Sequence, residues 1–129
     1  MSEHFGKAYK LCSRKTIGLL FKEGKQLRAF PLTVYYLETE PSGTVPFQVV
    51  LSAPKRLFRR AHDRNYVKRL MKETLRKEKQ VLEDYLVASG KQVALFIVYT
   101  NKEVLPYAEL EKCTRKLVGK LLAELQTER

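Results

Sequence analysis

Residues 55–79 read KRLFRRAHDRNYVKRLMKETLRKEK. The stretch holds eleven Lys or Arg against three acids, a surplus of eight in a chain whose net charge is +11. Its composition is strongly helical. On a wheel of about 100° per residue with Asn65 at the origin, Lys68, Arg69, Lys72, Arg76 and Lys79 fall within roughly 60° on either side. Val67, Leu70, Met71, Thr74, Val81, Leu82 and Tyr85 fall opposite. One face is thus a basic ridge and the other a core face. Arg64 projects near the apolar arc, which places it beyond the core edge at the helix start. Glu78 fits neither face.

Like charges along one helix face repel and cost stability. A helix face that merely needs solvation would carry Glu at i±4, and this ridge mostly lacks it. Cations spaced along a rod suit a phosphate backbone, whose condensed counterions are released on binding. The ridge therefore points to a nucleic-acid partner.

The flanking sequence supplies the rest of one domain spanning residues 1–129. Residues 1–10 are polar and read as a loose segment without the apolar run of a secretory signal. Ile17, Leu20 and Phe21 follow helical spacing, and Gly24 suits the C′ position, giving a first helix over about 14–23. Leu32 to Glu38 reads as a strand, Pro41-Ser42-Gly43 as a turn, and Phe47 to Ser52 as a second strand. The short link predicts that these two pair antiparallel. The basic helix extends over about 60–88 and ends at Ser89-Gly90. Gln92 to Thr100 is a strand with apolar residues on both faces, as in a central strand. Tyr107, Leu110, Leu117, Val118, Leu121, Leu122 and Leu125 mark a final helix. The order α-β-β-α-β-α predicts an α+β sandwich with helices packed on a mixed sheet.

Few residues suit independent catalysis. The histidines are His4 and His62. His62 beside Asp63 has the make-up of a general base, but its arginine neighbours favour a helix-start or phosphate-contact role. No paired carboxylates and no HxxxH, GxxxxGK or GxSxG pattern occur. Cys12 and Cys113, far apart and without Cys/His neighbours, read as two buried reduced thiols. The longest apolar run, Val93 to Tyr99, is far short of a membrane span. For Phe21, Phe30, Tyr35, Tyr36, Phe47 and Phe58 core packing is the default reading. Tyr35 and Tyr36 nevertheless point to opposite faces of one strand. If one sheet face forms an open groove, Phe21 and Tyr35 become stacking platforms for unpaired bases.

Ser52-Ala53-Pro54-Lys55-Arg56, followed by Arg60-Ala61-His62-Asp63-Arg64-Asn65-Tyr66-Val67-Lys68-Arg69-Leu70-Met71-Lys72-Glu73, resembles the signature of the bacterial ribonuclease P protein subunit. The family's helix carries an Arg-Asn-Arg core, and here Tyr66 stands in place of its second arginine. Leu20-Phe21-Lys22-Glu23-Gly24-Lys25 resembles the end of the family's first helix, with Ile17 at a position often aromatic. Together with the later strand and helix, the resemblance covers about residues 11–125. It implies a four-stranded sheet with an extra strand around 26–31, a fold similar to the second domain of a small-subunit ribosomal protein. It further implies a left-handed crossover around the long helix, against the general rule.

The resemblance also implies a function. The chain would assist a catalytic RNA, holding Mg²⁺, in removing the 5′ leader of precursor tRNA in the cytoplasm. No membrane and no small-molecule substrate would be involved. Lys55, Arg56, Arg60, Arg64, Asn65, Lys68, Arg69, Lys72 and Arg76 would contact RNA. Phe21 and Tyr35 would line the leader groove. The alternatives are a structural ribosomal-type RNA-binding protein and a DNA-binding regulator. The second lacks the short helix and turn that a helix-turn-helix places before its basic helix.

Overall fold

The structure is a computed structural model and describes residue 11 and residues 14–39 and 46–127. The expected loose segment 1–10, the turn Pro41-Ser42-Gly43 and Cys12 lie outside these residues. The elements run α1 (Arg14–Glu23), β1 (Lys25–Ala29), β2 (Leu32–Thr39), β3 (Phe47–Ser52), α2 (Ala61–Ser89), β4 (Gln92–Tyr99) and α3 (Tyr107–Thr127). They match the α+β expectation, with β1 as the extra strand.

The strands form one mixed sheet in the order β1-β2-β4-β3. β1 and β2 make a hairpin, β2 pairs antiparallel with β4, and β3 pairs parallel with β4. The expected antiparallel pairing of β2 with β3 is therefore wrong. β4 lies between them, paired with β2 from Leu32↔Tyr99 to Thr39↔Gln92 and with β3 from Phe47↔Val93 to Ser52↔Val98. Two parallel neighbours need a long crossover, and the α2 helix between β3 and β4 provides it. The central placing expected for the last strand holds.

Alternation divides each strand between two cores. Leu32, Val34 and Tyr36 of β2, with Val93, Leu95, Ile97 and Tyr99 of β4, pack with α2 and α3 residues such as Met71, Leu82, Leu117 and Leu121. Among the described residues, the opposite face is covered by α1 and Leu11, through a small cluster of Leu11, Leu20 and Ala94 flanked by Ile17, Tyr35, Leu37, Val50 and Phe96. Ile17 thus contributes aliphatic packing beneath α1.

Two glycines fix where helices end. Gly90 adopts the left-handed conformation (φ 71°), and the Gly90 and Lys91 N–H groups donate to Val87 and Leu86 carbonyls at 3.3 and 3.1 Å. This closes α2 as a glycine C-terminus should. Gly24 behaves differently. It is not left-handed, and its requirement is space: a Cβ there would collide with the Leu20 carbonyl oxygen and stand 3.0 Å from that of Tyr36. Neither backbone can yield without lifting α1 from the sheet. Gly24→Ala is accordingly expected to lower stability by about 1–3 kcal/mol as an overpacking defect. A melting temperature within a degree of the wild type would show that α1 is free to shift.

Candidate nucleic-acid interface

The chain enters α2 through a braced loop. The Leu57 and Phe58 N–H groups both donate to the Pro54 carbonyl, at 3.1 and 3.0 Å. The Phe58 ring is buried against Tyr99, with centroids 5.8 Å apart. Arg64 Nη1 reaches back from the first turn to the Phe58 and Arg59 carbonyls, each at 2.9 Å. The brace leaves Lys55, Arg56, Arg59 and Arg60 exposed. Arg60 is the N-cap and makes no side-chain capping bond. A Ser, Thr, Asp or Asn would normally occupy that position. The first N–H groups of α2 are therefore uncapped by Arg60 and sit among cations, an arrangement suited to an anion. His62 and Asp63 are exposed, with no side-chain hydrogen bond between them. The Asp63–His62 pairing that a general base would use is not made.

The ridge follows on the exposed face. Asn65, Lys68, Arg69 and Lys72 are all exposed, as expected, spanning about 10 Å of helix axis at 1.5 Å per residue. Beyond Lys72 the ridge is no longer a row of open cations. Arg76 forms a two-pronged ion pair with Glu73, one prong being Nε to Oε2 at 3.2 Å. That guanidinium holds the Glu73 carboxyl below its ordinary range, with the burial it suffers opposing and weaker. Arg76 thus offers a charge already shared. Lys79 is not on the ridge: its side chain is 2% exposed and its Nζ lies 2.9 Å from Glu83 Oε1. Val81, expected in the core, is exposed.

The reason is the path of the buried stripe. Val67, Met71, Leu75, Lys79 and Glu83 are all buried and follow one i+4 row. Such rows are inclined to the helix axis by about 26°. Coverage therefore winds around α2 and reaches the ridge side by Lys79. Glu78 also falls into place, 3.5 Å from Arg115 Nε on α3. Farther along that interface Lys77 lies 5.5 Å above the Tyr107 ring. Thr114 donates to Thr74 at 2.9 Å in the buried contact of the two helices.

The second surface is aromatic. On the α1 side of the sheet, Gln26, Tyr35, Phe96 and Val50 form one cross-strand row. Phe21 projects from α1 onto this row and is 54% exposed. Its ring lies 5.2 Å from Tyr35 and 4.8 Å from Phe96 by centroid. Edge contacts of this kind stabilise a cluster while leaving ring faces available. Phe21 and Tyr35 are brought together as expected, whereas Phe96 was missed. The next row is Arg28, Thr33, Val98 and Ser52, and Ser52 leads directly to Lys55 and Arg56. The aromatic cluster and the braced cationic loop thus share one end-to-end surface. Cys113 is half-buried, and the burial raises its thiol above the ordinary range, so it is a poor nucleophile at neutral pH.

The geometry agrees with comparisons of the whole chain. Residues 5–122 match the family model Ribonuclease P. A ribonuclease P protein component from Porphyromonas gingivalis is 30% identical over 110 residues, covering 85% of this chain and 80% of that protein. One from Streptococcus agalactiae is 33% identical over 108 residues, covering 82% and 87%. Among solved structures, the Thermotoga maritima RNase P protein superposes with a TM-score of 0.68 at 21% identity, covering 86% of this chain and 96% of that one. The Staphylococcus aureus RNase P protein gives 0.65 at 17% identity, covering 90% and 96%. These structures carry the same mixed four-stranded sheet with helices. The chain belongs to the bacterial ribonuclease P protein family.

Proposed function

We propose that this chain binds two RNAs at once: a catalytic RNA subunit along the α2 ridge and braced loop, and the unpaired 5′ leader of precursor tRNA on the aromatic sheet face. As a member of its family the chain serves tRNA processing as a protein component of a ribonuclease. The observation that carries the finer reading is the exposed Phe21 ring set on Tyr35 and Phe96 beside a cationic loop. An apolar ring cluster stacks bases of any sequence, and adjacent cations hold the backbone.

The chemistry belongs to the RNA in this reading. Among the described residues there is no group of three or more His, Cys, Asp or Glu that could hold a metal ion. The described residues thus offer no all-protein cage for Mg²⁺, and in this reading the protein's part is positional. Lys55, Arg56 and Arg60 would screen phosphate repulsion where the two RNAs meet, and Lys68, Arg69 and Lys72 would dock the catalytic RNA. Asn65, neutral among cations, can donate and accept in one plane and so can read a base edge. No helix among the described residues is long and apolar enough to cross a membrane.

The experiment is the ratio of precursor to mature tRNA affinity for the reconstituted holoenzyme. Phe21→Leu should lower that ratio roughly 5- to 150-fold, the loss of one stacked base. Mature tRNA binding and assembly with the catalytic RNA should stay as in the wild type. An unchanged ratio with folded protein would remove the leader from this surface.

A further inference from the structure

We infer that Phe30, at the tip of the β1–β2 hairpin, is a second and separate stacking contact for the unpaired RNA strand that lies on Phe21, Tyr35 and Phe96. The inference rests on the leader reading above and extends it to a residue that nothing in the cluster includes. Phe30 is 69% exposed, the most exposed aromatic ring among the described residues, and has no ring contact with any of them.

The tip is built to hold that ring in solvent. Ala29 before it and Leu32 after it are paired with each other and buried in the core under α3. Pro31 is buried, and its carbonyl accepts from both the N–H and the hydroxyl of Thr100, at 2.7 and 2.9 Å. Lys120 Nζ of α3 donates to the Arg28 carbonyl at 2.7 Å. The backbone on either side of Phe30 is therefore fixed, so little ordering entropy remains to oppose a contact there.

Continuity and charge choose the occupant. In β1, Leu27 and Ala29 turn toward α3, while Gln26 and Arg28 belong to the rows of the open face. The two rows that lead from the aromatic cluster toward the tip comprise Gln26, Tyr35, Phe96 and Val50, then Arg28, Thr33, Val98 and Ser52. None of these carries a carboxylate, and Arg28 is an exposed cation. Gln26 and Phe30 are four residues apart, about 13 Å along a strand. At the stacked rise of about 3.4 Å per nucleotide that is no more than about four nucleotides.

The test is a leader-length series of precursor tRNAs bound to holoenzyme reconstituted with wild type, Phe30→Ser, Phe30→Trp or Phe21→Leu. Phe30→Ser should bind short leaders like the wild type. It should lose roughly 5- to 150-fold on leaders long enough to reach both contacts. Phe30→Trp should retain the gain. The length at which the Phe30 effect sets in should differ from that for Phe21 by no more than about four nucleotides. Phe30→Ser binding every leader length like the wild type, while Phe21→Leu loses leader affinity, overturns the Phe30 contact alone. If neither variant loses leader affinity, the whole aromatic face is removed from the leader path. A Phe30→Ser loss equal for precursor and mature tRNA, or a loss of assembly with the catalytic RNA, also overturns the inference. It would place the ring against the catalytic RNA.

Discussion

Glu83→Ala is expected to lower the folding free energy by about 3–5 kcal/mol, the cost of removing one partner of a buried ion pair. Lys79 and Glu83 are one helical turn apart on α2, 2.9 Å between charged atoms, with side chains 2% and 7% exposed. A domain of this kind has about 5–15 kcal/mol in total, so the loss is more than half of the smaller figure. The joint variant Lys79→Met with Glu83→Leu removes both charges and keeps the volume, so it should be near neutral or stabilising. Urea unfolding of the three proteins measures both effects. RNA affinity should not change in the joint variant, because Lys79 lies under the surface rather than on the ridge. A Glu83→Ala loss below about 1 kcal/mol is what a solvated surface pair gives, and would return Lys79 to the exposed face.

That pair shows where the sequence stopped being readable. Helices and strands were legible because each carries its own period, and the boundaries of α1 and α3 agree with the spacing of Ile17, Leu20 and Tyr107 to Leu125. The burial of Lys79 was not, because a wheel assigns one buried arc to the whole of α2. The actual stripe follows Val67, Met71, Leu75, Lys79 and Glu83 around the helix. Strand order was hidden for a different reason. A short link between β2 and β3 favours a hairpin locally, but β4 pairs with both, one antiparallel and one parallel. No local signal reports a partner that arrives after a crossover helix. Phe96 was missed because nearly every residue of β4 is apolar, so alternation does not say which face a helix leaves uncovered. Its role emerges only from the register Tyr35↔Phe96. The exposure of Lys55, Arg56, Arg60, Lys68, Arg69 and Lys72 was legible in advance, since a run of charge at the start of a helix needs no tertiary information to be recognised.

Replacing Lys68, Arg69 and Lys72 together with Ala is expected to reduce the log–log salt slope of catalytic-RNA binding by roughly 2 to 2.7, from about 0.7–0.9 per lost phosphate contact. Near 0.15 M salt that corresponds to an affinity loss of roughly 50- to 170-fold relative to the limit at 1 M, where the counterion term vanishes. All three side chains are exposed on α2 with no acidic partner among the described residues, so the fold should be unaffected. Arg64 is a different case. Its two bonds to the Phe58 and Arg59 carbonyls hold the loop that carries Lys55 and Arg56. Arg64→Ala should therefore lose about 1–2 kcal/mol of stability, because hydrogen bonds from a charged donor are lost, and should weaken binding partly through the loosened loop. Arg76→Ala separates a free cation from a shared one. With its guanidinium already neutralised by Glu73, its removal should move the slope less than Lys72→Ala does. Equal slopes for the two would mean that the RNA takes Arg76 away from Glu73 on binding. An unchanged slope in the triple variant would take the ridge out of the interface altogether.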